Sequence, residues 1–139
     1  MKAETLPNRS LVGVLRSGMI AAVITVIGNS LIYLVGILFK VSFTVPTPTG
    51  PFNITVANVM VDSLVTTVGA TMVFTLLYRL TPRATEIFRL IAVLVLFASF
   101  ILPLLLNGGG ALKITLILMH LFSAVVLVSC LTRGQSQPS

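Results

Sequence analysis

The chain has 139 residues, of which 56% are hydrophobic and 9% charged, with a formal net charge of +6. A soluble domain carries roughly a quarter charged residues, and this composition leaves far too much apolar surface for a water-soluble fold, so an integral membrane protein is the class that remains. Its basic residues are scattered, without the clustering or aromatic interleaving of a nucleic-acid surface, and membrane topology accounts for them better.

Residues 1–10 are expected to be a cytoplasmic segment, and the four-span domain is expected over 11–132. The uncharged run Ser17–Phe39 is too long for the apolar part of a signal peptide and has no clear cleavage site, so it reads as a retained first span, about 17–39. It carries small and polar residues in a stripe: Gly18, Ala22, Thr25, Asn29 and Gly36. Small residues at this spacing let helices approach closely, within the chain or in a dimer. The stretch "KVSFTVPTPTGPFN" holds three prolines and a glycine, cannot be helical throughout, and is expected to fold over the outer mouth of a bundle.

The second span, about 54–78, contains Asp62. A carboxylate at the centre of a lipid-facing helix costs about 2.5–3.5 kcal/mol, so it is expected to turn inward. Thr55, Asn58, Asp62, Thr66 and Gly69 recur at three- and four-residue steps and define one helix face. The following turn, "RLTPRATEIF", offers Thr81 as a cap and Pro82 as the first residue of helix 3; Glu86 lies three residues from both Arg83 and Arg89, a spacing for local pairing.

The third span, about 88–106, carries Ser99 and Pro103. Proline cannot donate to the carbonyl four residues back, so Pro103 is expected to kink this helix and release the Ser99 carbonyl. "NGGG" at 107–110 is a helix stop. The fourth span, about 112–132, carries His120, with Ser123 and Ala124 next on that face; Cys130 reads as a packing residue, and 133–139 as a disordered cytoplasmic tail.

Seven of the nine Lys and Arg residues fall on one side of such an arrangement and only Lys40 and Lys113 on the other, which places both termini in the cytoplasm. At 1.5 Å per residue, Asn29, Asp62, Ser99 and His120 each lie about 10–15 Å from the outer ends of their spans. The candidate ligand or proton site is therefore Asp62, His120, Asn29, Ser99 and Asn58. The competing reading is plain interhelical glue, in a structural or accessory subunit whose polar layer only sets packing. One His and one Asp make a thin ligand set, so no metal site is expected. No cofactor motif, phosphate loop or nucleophile–base pair is present, so an enzyme is the weakest reading and no catalytic residue is assigned.

"FRLIAVLVLFASFILPLLL" followed by "ALKITLILMHLFSAVVLV" resembles a family of small uncharacterised bacterial membrane proteins, classed only as a domain of unknown function. The likeness rests on Ser99 to Pro103, on Met119-His120 and on Pro48 to Pro51, and covers about Leu11 to Leu131. It implies four helices and a plasma-membrane location, and brings no activity. The expectation is thus an all-α, antiparallel, up-down-up-down four-helix transmembrane bundle in the bacterial inner membrane. It is expected to bind or transport a small polar ligand, a proton or a lipid head group, the alternative being a structural or accessory subunit. Its expected partners are the lipid bilayer and either a second copy or another membrane protein, and not nucleic acid.

Overall fold

The computed structural model describes residues 11–133. The expected cytoplasmic segment 1–10 and tail residues 134–139 lie outside the described residues. Four helices, α1 (Leu11–Leu38), α2 (Val56–Leu80), α3 (Ala84–Leu105) and α4 (Gly110–Arg133), form an all-α bundle, with a short hairpin of β1 (Thr44–Thr47) and β2 (Gly50–Asn53) between the first two. All four helices are long and apolar enough to cross a membrane.

Helix α1 begins before Arg16, the charge that bounds the expected span. Nothing in "LVGVLRSG" breaks a helix, and a charge limits what lies in lipid rather than what can be helical. The buried face of α1 is Val14, Gly18, Ala21, Thr25, Asn29, Tyr33 and Gly36. Its small residues allow close approach: a Cβ on Gly18 would lie 2.6 Å from Thr71 Cγ2, one on Gly36 2.7 Å from the Phe43 ring, and one on Gly28 inside the Phe122 ring. Contacts along α1 and its neighbours run in opposite senses. Gly18 meets Thr71 and Asn29 meets Ser63 of α2, while Gly28 meets Phe122 and Gly36 meets Thr115 of α4.

Two apolar clusters close the ends of the bundle. At the end of the α2–α3 turn, Val14, Ala21, Phe74, Phe88, Leu127 and Leu131 pack together, with the Phe74 and Phe88 rings edge to face at 5.0 Å. At the hairpin end the cluster is Tyr33, Phe43, Val45, Val59, Leu112 and Met119. Between them lies a buried polar layer of Thr25, Asn29, Ser63, Thr67 and Ser123. Much of the remaining helix surface is exposed Leu, Ile, Val, Phe and Met, as a lipid-facing surface requires.

The outer loop folds as a hairpin in the register Thr44↔Asn53 to Thr47↔Gly50. Ile54 N–H donates to Phe43 O, so in the antiparallel alternation Pro46 and Pro51 face each other at a site that needs no N–H. Phe43 and Val45 turn inward; the Phe43 ring lies 4.4 Å from Tyr33, whose hydroxyl donates to Ile54 O at 3.0 Å.

The α2–α3 turn departs from the expected capping. Pro82 lies in the turn ahead of α3, whose N-cap is Arg83, and the Thr81 hydroxyl accepts from Arg83 N–H at 3.2 Å. Thr81 ends α2 instead of starting α3. Glu86 pairs with neither Arg83 nor Arg89 among the described residues; it sits in the first turn of α3, where a carboxylate complements the helix dipole. Arg89 reaches across to Thr132 Oγ1 at 3.3 Å. At the other end of α3, Lys113 Nζ donates to Leu104 O at 2.9 Å, satisfying one of the carbonyls that a helix end leaves open. Pro103 is buried within α3.

Candidate functional site

Helix α2 presents a different packed face from the expected one. Val59, Ser63, Thr67 and Phe74 are buried, one position along from the stripe of Asn58, Asp62, Thr66 and Gly69, which is exposed. One residue turns a helix by about 100°, a rotation that follows from 3.6 residues per turn. The packed stripe satisfies itself. Thr67, Thr71 and Thr75 hydroxyls donate to the carbonyls of Ser63, Thr67 and Thr71 at 2.7–2.8 Å, which lets polar side chains sit between helices without outside partners.

The displaced stripe faces a cavity of about 560 Å³ walled by α2, α3 and α4. Of α3, only Ala84, Phe88 and Pro103 are buried, so this helix packs tightly near the α2–α3 turn and stands off along much of its length. The cavity floor is Asn29 of α1, and Phe52 and Ile54 of the hairpin segment border its far end. All five residues expected at the site, Asp62, His120, Asn29, Ser99 and Asn58, line it. It changes character along its length. Asn58, Asp62, Thr66, Ser99 and His120 border the half toward the hairpin; Ala70, Val73, Phe88, Ile91 and Leu127 border the half toward the α2–α3 turn.

The polar residues divide by what they bond. Asn29 Nδ2 donates to Ser63 Oγ at 2.9 Å and to Ser123 Oγ at 2.8 Å, tying α1 to α2 and α4. Ser123 Oγ in turn donates its one proton to Met119 O at 2.8 Å. The Ser123 hydroxyl therefore has only lone pairs to offer Asn29, and the amide nitrogen must be the atom that faces it. Asn29 Oδ1 is left buried without a hydrogen-bond partner. Neither Ser63 nor its bond to Asn29 stands out in the sequence, although Ser63, Thr67 and Phe74 repeat at helical spacing beside the more polar stripe.

Asp62 forms no hydrogen bond or ion pair with any described residue, and no direct bond joins it to His120 or Asn29. His120 Nδ1 lies 2.7 Å from Leu116 O, four residues back on α4. A carbonyl only accepts, so Nδ1 carries a hydrogen, and Nε2 has no partner among the described residues. Ser99 Oγ donates to Leu96 O of its own helix at 2.7 Å, while its carbonyl receives no N–H from Pro103. Asn58 is held in a capping box at the start of α2. Its Oδ1 accepts from Thr55 N–H at 2.9 Å and from the Thr55 hydroxyl at 2.6 Å. Groups of three or more His, Cys, Asp and Glu side chains fit to hold a metal are absent among the described residues.

The chain belongs to a family of unknown function (DUF6069), whose profile matches residues 9–137. No curated protein and no solved structure matches it.

Proposed function

We propose that this member of a family of unknown function is a multi-pass membrane protein that binds a small amphipathic molecule between α2, α3 and α4, with Asp62 and His120 at the polar end of the site. The observation that carries this reading is a contrast between neighbours. Asn29 donates to both Ser63 and Ser123, whereas Asp62 and His120 Nε2, beside the same cavity, have no partner among the described residues. An intramembrane carboxylate without a protein partner is costly, and such residues mark ligand or ion sites. The cavity volume lies within the range of small-molecule sites, about 300–1,000 Å³.

The Asn29 layer favours a second role beside the first. Its bonds tie three helices at one height, which supports the setting of helix register there. The distribution of Lys and Arg supports an up-down-up-down placement in a bacterial inner membrane with both termini in the cytoplasm and the hairpin outside.

Native mass spectrometry of the purified protein in lipid nanodiscs tests binding. A Cβ on Gly69 would meet nothing within 4 Å, so Gly69→Leu fills space beside the cavity without displacing packed atoms. The wild-type protein is expected to retain a co-purifying amphipathic molecule that Gly69→Leu loses. Identical spectra of bound species for the two proteins would refute occupancy of the cavity.

A further inference from the structure

Resting on that reading, the geometry points to a ligand class: a single-chain amphiphile with an ammonium head, an alkylamine, with its head at Asp62 and His120 and its tail toward Phe88. Three observations converge on it. The first is charge. Among the described residues, Asp62 is the one charged residue bordering the cavity, and no Lys or Arg side chain lines it to neutralise the carboxylate.

The second is the hydrogen-bonding sense of the polar end. Asp62 offers carboxylate oxygens. His120 spends Nδ1 on Leu116 O and leaves Nε2 without a partner among the described residues. Asp62 accepts, the hydroxyl proton of Ser99 is already given to Leu96 O, and the remaining donors at this end, the Asn58 amide and the Thr66 hydroxyl, are neutral. A carboxylate as the one charge at this end complements a positive group with several N–H donors, and an ammonium carries three. A carboxylate or phosphate head would meet like charge at Asp62. An alcohol head has one donor and no charge to match Asp62.

The third is shape. From Asn58 to Val73 the cavity runs about 22 Å along α2 at 1.5 Å per residue. Its polar groups lie at the hairpin end. The other end, bordered by Ala70, Val73, Phe88, Ile91 and Leu127, contains no polar side chain. Asp62, Thr66, Gly69 and Val73 are exposed, so the cavity is open along α2 on the side toward α3. A hydrocarbon tail enters sideways from lipid without passing through water, and the head group comes to rest at the depth of the carboxylate.

The test uses the full chain in zwitterionic nanodiscs, titrated with n-octylamine, n-octanol and octanoate, with empty nanodiscs subtracted. Wild-type protein is expected to bind the amine at least about tenfold more tightly than the alcohol, the effect of one charge-assisted hydrogen bond, and to bind octanoate most weakly. Asp62→Asn lowers the amine to the level of the alcohol; Asp62→Glu, which restores the charge, keeps the preference; Gly69→Leu removes binding of all three. Circular dichroism shows that each variant is folded. Equal binding of amine and alcohol, lost in Gly69→Leu, would overturn the ligand class and leave the binding cavity standing. Binding of none of the probes above the empty-disc signal would overturn the ligand class together with the reading it rests on.

Discussion

Ser123 has one hydroxyl proton, and Met119 O takes it. That small fact orients the Asn29 amide, and the amide then bonds α2 and α4 to α1. Interhelical hydrogen bonds in membranes average about 0.6 kcal/mol each, so Asn29→Ala, which deletes two, is expected to destabilise the protein by about 1 kcal/mol in a detergent-titration unfolding experiment. Thr25 makes the opposite case. Its hydroxyl is buried without a partner, and replacing it by the isosteric methyl of Thr25→Val removes an unmet polar group, so that variant is expected to be neutral or more stable in the same measurement. Asp62 belongs to neither kind. It supports no other side chain, which is why its role is sought in what enters the cavity.

At the scale of elements, the end of α1 shows how local geometry carries the hairpin. Val41 N–H donates to Gly36 O and Lys40 N–H to Ile37 O, a Schellman closure in which Lys40 takes a left-handed φ of 57°. A side chain in that conformation costs about 1 kcal/mol relative to glycine, so Lys40→Gly is expected to raise stability by about that amount in the same unfolding assay. The helices were legible in the sequence because charges, prolines and the "NGGG" run interrupt apolar stretches of spanning length. The hairpin was not, since three prolines within ten residues read as irregular chain; only the register, which seats Pro46 against Pro51, makes strands compatible with them. The face of α2 was legible as a stripe but not as a location. Polarity marked Asn58, Asp62, Thr66 and Gly69 as turned away from lipid, yet periodicity cannot separate a packed face from a cavity wall. The adjacent stripe of Ser63 and Thr67 packs because those side chains are small and bond within their own helix or to Asn29. Glu86 shows the limit of spacing rules: three-residue separation from two arginines permits pairing without requiring it.

In the whole molecule, an apolar cluster at each end holds a polar layer between them, and α3 stands away from α2 to open that layer on one side. On the reading proposed above, Asp62 lies in a cavity open sideways and able to take an amphiphile. A hydrophobic carbodiimide reports this directly, because it partitions into the bilayer and forms an adduct with a carboxyl group it can reach there; peptide mass spectrometry locates the adduct. Labelling is expected at Asp62, with Glu86 at the polar α2–α3 turn left unmodified. It is expected to fall when Gly69→Leu fills the space. An Asp62 that the reagent does not modify, or that it modifies equally in Gly69→Leu, would rule out a laterally open cavity at this carboxylate.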